Sequence, residues 1–280
     1  MQEYNKQHFV GERALFMTHD AKIVDCLFDD GESPLKESGQ LEILQTTFGW
    51  KYPLWYGKDI QVSDSRFLEG ARAGIWYTDH SKFLHCEIIA PKCFRRCDDL
   101  TLEDVSFLDA KETLWSCSHV KLKDIKVAGG DYFAFHASHV EVDNLELQGN
   151  YIFDSCADVV VRNSRLKTKD AFWNCKKVYV ENSYIEGEYF GWNSEDVTLV
   201  NCTILSHQGF CYMKNVRLIN CKFISTDLSF EYCQNIDAEI ITHVDSIKNP
   251  ISGIIKVASV GEIIRDDPNL DHSQTTIIIG

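Results

Sequence analysis

The feature that most constrains this chain is a repeat of 19 to 21 residues, found eleven times along its 280 residues. Units begin at Ala21, Leu41, Ile60, Ser81, Leu100, Val120, Val140, Val159, Val178, Val197 and Val216. They read AKIVDCLF, LEILQTTF, IQVSDSRF, SKFLHCEI, LTLEDVSF, VKLKDIKV, VEVDNLEL, VVVRNSRL, VYVENSYI, VTLVNCTI and VRLINCKF. A unit this short cannot bury an apolar side alone and must stack on its neighbours. Positions 1 and 3 are mostly apolar and positions 2 and 4 mostly polar, the alternation of a half-buried strand. Position 5 is Asp or Asn in nine units, from Asp25 and Asp64 to Asn201 and Asn220. These residues tolerate bends and bond neighbouring backbone, so position 5 marks a corner. Positions 6 and 8 then point inward, placing Cys26, Cys86, Cys202 and Cys221 in one column and Phe28, Phe48, Phe67 and Phe107 in another.

The second half of each unit carries an aromatic pair followed by a small residue, as in PLWYG, GIWYT, TLWSC, AFWNC and FGWNS. A leucine-rich repeat has a similar period but needs a helical turn in this half. Here the pattern alternates as short strands ending in a turn. The expected fold is therefore an all-β, single-stranded parallel β-helix of about twelve coils, with like residues stacked about 4.8 Å apart. It is read as one domain over residues 1–280: an N-terminal cap at 1–20, regular coils over 21–235, and C-terminal coils and cap over 236–280. Parallel crossovers are overwhelmingly right-handed, which sets the expected hand.

Eleven cysteines, an odd number without CxxC or Cys/His finger spacing, recur in step with the repeat. Cys97, Cys117, Cys156, Cys175 and Cys233 share one position, with Ala137 and Ser194 filling it elsewhere. They read as small buried hydrophobes in a reducing compartment. No apolar run is long enough to span a membrane, and the polar start MQEYNKQHFV lacks a secretory signal, so the expected location is the cytoplasm. A net charge of −14 argues against a nucleic-acid partner.

The stretches GESPLKES (31–38), WKYPLWY (50–56), RAGIWY (72–77), PKCFRR (91–96), ETLW (112–115), DAFWNC (170–175), GEYFGWNS (187–194) and NPISG (249–253) resemble an uncharacterised bacterial family, a domain of unknown function with a pectin-lyase-like right-handed β-helix. The resemblance runs from about Glu12 to near the C-terminus. It implies right-handedness and supplies no catalytic residues. Pectate lyases and polygalacturonases share that architecture, but a fold alone does not carry their chemistry.

Three constellations remain. Five positions before successive strands lie Trp55, Trp76, Arg95, Trp115, Phe135, Asp154, Trp173 and Trp192. This row suits sugar rings or a protein partner, or else is a structural stacking ladder. Just before it runs a charge column from Glu32, Lys51, Arg72 and Lys92 to Asp170 and Glu188, basic over the early coils and acidic over the later ones. The acidic end offers paired carboxylates, with Asp154, Asp170 and Glu188 as candidate acid and base. The other reading is that turns are charged because they are wet. Arg72, Lys92, Arg95, Trp115, Trp173 and Trp192 are the candidate ligand contacts, the basic ones for an anionic group. A turn column of His80, Asp99, His119, His139 and Asp158 is read as polar turn formers, and no metal site or cofactor is assigned. The leading functional expectation is binding of a carbohydrate or glycoconjugate along the groove formed by the aromatic row, with its processing left open and an anionic small ligand as the other partner class. A non-catalytic scaffold docking another protein, and a homodimer with the aromatic row buried, are the competing readings.

Overall fold

Each repeat unit folds as one turn of a parallel β-solenoid, and the strand starts read from the sequence are the registered positions. The computed structural model describes residues 1–280, with 25 strands and two three-residue 3-10 helices. Every strand pairing within the two units is parallel. The chain divides into two compact units, Met1–Gly149 and Asn150–Gly280. In the first, Leu41 pairs with Ile60, Ile60 with Ser81, Ser81 with Leu100, Leu100 with Val120 and Val120 with Val140. In the second, Val159, Val178, Val197, Val216 and Ile236 form the same column.

The burial pattern explains why these residues make strands. Positions 1 and 3 are buried at almost every turn, while the residues between them face water. The Asp and Asn corners all adopt left-handed backbone, with φ from 50° at Asn182 to 60° at Asn144. That conformation costs most residues about 1–2 kcal/mol, and Asp and Asn tolerate it best. Corner N–H groups reach the next turn: Asp64 donates to the Leu84 carbonyl and Asn182 to the Val200 carbonyl, both at 3.0 Å. Side-chain amides extend the ladder, Asn220 donating to Asn201 at 2.8 Å. His80, Asp99, His119, His139 and Asp158 are likewise left-handed turn residues.

The core is a set of columns. Phe28, Phe48 and Phe67 stack at 5.2 and 4.7 Å in the first unit, and Phe153 and Phe172 at 5.3 Å in the second. Such pairs add about 0.5–1.5 kcal/mol beyond their buried area. All eleven cysteines are buried thiols. Burial pushes the Cys93, Cys202 and Cys211 thiols up to about 12. Several donate to backbone carbonyls, Cys175 to Phe153 and Cys233 to Phe210 at 2.7 Å.

Two expectations need correction. The turns number about fifteen, against the twelve expected, because both ends also coil. Gln2–Asn5 pairs in register with Ala21–Val24. At the other end Ile236 pairs with Gly253 and Gly253 with Thr275, spacings outside the 19–21 period and interrupted by a bulge between Ile240 and His243. In the first unit, the second half of each turn is a chain of left-handed turn residues joined only by isolated bridges, such as Trp76 to Arg95 and Arg95 to Trp115. Backbone bonds still stack turn on turn there, as from Tyr77 N–H to the Arg95 carbonyl at 2.9 Å.

Candidate functional site

In Met1–Gly149 the aromatic row is a closed stack. Trp55 and Trp76 lie face to face at 5.0 Å and 7°. The Arg95 guanidinium then sits between two rings, 4.6 Å from Trp76 and 4.9 Å from Trp115, and Trp115 continues onto Phe135 at 4.3 Å. Indole N–H groups are satisfied by the following turn: Trp55 donates to the Ala73 carbonyl at 2.5 Å and Trp76 to Lys92 at 2.9 Å. The charges are paired in part, with the Arg95 Nε–H left buried and without a hydrogen-bond partner. Glu112 accepts from Arg95 and pairs with Lys92, both at 3.2 Å. One residue further on, Tyr56 and Tyr77 stack at 4.9 Å and 3°, with Lys36 and Arg96 over their rings. Faces here are covered by neighbours, and the rims meet solvent. Arg72 is exposed, clear of this stack's ion pairs. A groove of about 520 Å³ opens elsewhere on this unit, beside Glu42, Asp59, Gln61, His80, Lys82 and Asp99. These are the outward positions of successive strands, where polar side chains meet water.

In Asn150–Gly280 the same column is built differently. Asp154 stands where Arg95 stands in the first unit, followed by Trp173 and Trp192, whose rings are 5.9 Å apart and tilted by 36°. Tyr189 meets Trp173 and Trp192 edge-on at 62° and 87°, and Tyr151 meets Trp173 at 81°. Trp192 continues onto Tyr212 at 4.9 Å and 49°, so this is a splayed cluster of tilted and edge-on rings. Trp173 and Trp192 are half-buried.

Asp170 is set at the corner of its turn. The Thr168 hydroxyl donates to the Asp170 carbonyl at 2.8 Å, and Asp170 pairs with Tyr189 across the next turn. Glu188 and Tyr189 both donate their N–H groups to the Lys169 carbonyl, at 2.9 and 3.0 Å. Gly187 permits that approach, since a Cβ there would overlap the Thr168 carbonyl oxygen. The Asp170 side chain is only 1% exposed, and neither carboxyl oxygen has a hydrogen-bond partner. The Trp173 indole N–H is buried and unpartnered too, unlike those of Trp55 and Trp76. Buried polar groups are normally hydrogen-bonded, so two orphans three residues apart are an exception that needs explaining.

Burial pushes the Asp170 carboxyl up to about 6; Lys169 opposes the rise, and the Glu188 and Asp154 charges add to it. A hydrogen bond to Glu188, helped by that charge and by Asp170, also raises the Tyr189 phenol. Asp154 and Glu188 are thus each within electrostatic reach of Asp170. Asp154 accepts from Ser155 at 2.8 Å, and Glu188 has the Lys169 ammonium 3.8 Å away. A carboxyl at about 6 can hold and release a proton near neutrality.

The chain belongs to the DUF3737 family, described as a protein of unknown function, whose model matches residues 2–278. No curated protein sequence matches it. Among solved structures, it is similar to PfbA, a surface adhesin of Streptococcus pneumoniae, at a TM-score of 0.44 and 8% identity, over 93% of this chain and 80% of that one. It is similar to the A-module of the mannuronan C-5 epimerase AlgE4 of Azotobacter vinelandii at 0.33 and 8%, over 99% and 89%. A third is the tailspike protein of Escherichia coli bacteriophage HK620, in complex with a pentasaccharide, at 0.35 and 14%, over 93% and 60%. No helix of the chain is long and apolar enough to cross a membrane.

Proposed function

We propose that this protein binds a carbohydrate or glycoconjugate on the aromatic and acidic face of Asn150–Gly280 and processes it by proton transfer. The carrying observation is the buried Asp170 carboxyl, with neither oxygen hydrogen-bonded, and, three residues on in the chain, the Trp173 indole N–H, which is buried without a partner as well. A ligand hydroxyl would satisfy both groups, one oxygen taking the indole proton and one O–H meeting the carboxyl. Trp173 and Trp192 supply apolar ring surface of the kind that covers one side of a sugar. Protonated Asp170 serves as the acid, and Glu188 or Asp154 as the base. The eleven buried thiols fit work in a reducing compartment such as the cytoplasm.

An oligosaccharide thermal-shift screen of the full chain, with product analysis by mass spectrometry, tests this reading. A stabilising glycan whose turnover is lost in Asp170→Asn while binding persists supports it. A panel without one stabilising glycan, or turnover indifferent to Asp170→Asn, overturns it. A second reading applies to Met1–Gly149, where the ring faces are closed by their neighbours and Tyr56 is 49% exposed. That rigid aromatic surface suits docking of another protein better than chemistry.

A further inference from the structure

In Met1–Gly149 the second halves of four successive turns, residues 51–56, 72–77, 91–96 and 111–116, stack in register. Tyr52 donates its N–H to the Arg72 carbonyl, Ala73 to Pro91 and Lys92 to Lys111. These segments carry Lys51, Arg72, Lys92, Arg95, Arg96 and Lys111 against one acid, Glu112, a net charge of +5 in a chain of net −14. The segments on either side, 32–37 and 131–136, are each net −1, so the positive excess is confined to these four turns. Ion pairs neutralise only part of it. Glu32 takes Lys51 at 2.9 Å, and Glu112 is shared by Lys92 and Arg95, both at 3.2 Å. Arg72 and Arg96 are exposed and form no ion pair. Lys111 is exposed as well, and nearby Asp109 gives one oxygen to its backbone N–H.

The rings decide what kind of anion fits. Trp55 and Trp76 cover each other, and Arg95 lies between Trp76 and Trp115, so these rings offer half-buried rims. Stacking of a nucleobase needs a free ring face. An extended chain bearing carboxylates needs only the rims and the guanidinium forks, which match a carboxylate with two parallel hydrogen bonds. Arg96 is already held over Tyr77 at 5.8 Å, which lowers the cost of ordering it on binding. Four turns at about 4.8 Å span about 14 Å, the reach of about five extended residues. A longer polyanion would run onto the acidic remainder of the chain, whereas charges beyond about 8 Å are screened from a short one.

We propose that this face of Met1–Gly149 docks a short, extended acidic segment of another protein, about five residues rich in Asp or Glu, with Arg72 and Arg96 as its carboxylate contacts. The proposal rests on the reading of this unit as a docking surface and names the partner's chemistry; it is independent of the glycan site in Asn150–Gly280.

The test is calorimetric titration of the full chain with end-blocked hexaglutamate, hexaglutamine and hexalysine peptides, a thymidine hexanucleotide and a heparin hexasaccharide. Hexaglutamate should bind at least tenfold tighter than every other probe and weaken as salt is raised. It should lose at least tenfold in the Arg72→Gln/Arg96→Gln double variant, whose two exposed substitutions should leave the melting temperature unchanged. Hexaglutamine binding as tightly would overturn the acidic partner and leave the docking reading standing. The nucleotide or the sulfated sugar binding tightest would sink both. Hexaglutamate failing to bind, or binding the double variant as well as the wild type, would overturn the proposal.

Discussion

Replacing Asp170 with Asn is expected to stabilise the protein at neutral and alkaline pH. The carboxyl is buried without a hydrogen bond, and its pKa rises from 3.8 to about 6 on folding. A folded pKa above the unfolded one means the native state binds the proton more tightly, so stability is lost as pH climbs. Below the unfolded value both states are protonated and the group contributes nothing. Between about 4 and 6 the native state loses about 1.4 kcal/mol per pH unit, and above 6 the penalty is constant. A shift of about two units amounts to about 3 kcal/mol, an upper figure because solvent screening relieves part of it. Asn leaves an uncharged amide in the same place, with an offset that does not depend on pH. The useful quantity is therefore the wild-type-minus-variant stability at pH 8 less that at pH 4. Urea unfolding at pH 4, 5, 6, 7 and 8 should show the variant gaining about 2–3 kcal/mol on the wild type across that range. A gap that is flat with pH would refute the reasoning, and one that narrows as pH rises would reverse its sign.

Other consequences follow from the same geometry. Val161 is fully buried and registered on Val180, so Val161→Asp strands a carboxyl between turns and should cost about 3–5 kcal/mol by denaturant titration; a melt within a degree or two of wild type would show the in/out register to be wrong. Arg95→Met removes two cation–ring contacts and an ion pair, a loss of about 1–2 kcal/mol that Arg95→Lys should not fully restore, since an ammonium lacks the planar stack. Thiol titration should find few reactive groups in the native protein and all eleven after unfolding, and several native disulfides would contradict the buried columns.

The register was legible because the period hardly varies and because left-handed corners select Asp and Asn, as at Asp64, Asn182 and Asn201. The C-terminal turns were not, since pairing Ile236 with Gly253 and Gly253 with Thr275 departs from the period and a bulge intervenes. Column spacing placed Trp76, Arg95 and Trp115 in one line, but it does not say that Glu112 neutralises Arg95 or that the rings close on the guanidinium. Spacing likewise put acids on successive turns around Asp170. It could not reveal that this carboxyl turns away from water with no partner, which depends on the corner made by Thr168 and Gly187.

The most direct test of the proposed site uses the six tryptophan indole N–H signals, resolved by nitrogen-15 NMR and assigned by single Trp→Phe variants. Trp55 and Trp76 donate to backbone carbonyls, whereas the Trp173 indole has no acceptor. Titrating the full chain with a stabilising glycan should shift the Trp173 signal most, move Trp192 with it, and leave Trp55 and Trp76 in place. Shifts centred on Trp55, Trp76 or Trp115, with Trp173 unmoved at saturation, would contradict the assignment of the site to Asp170 and its aromatic neighbours.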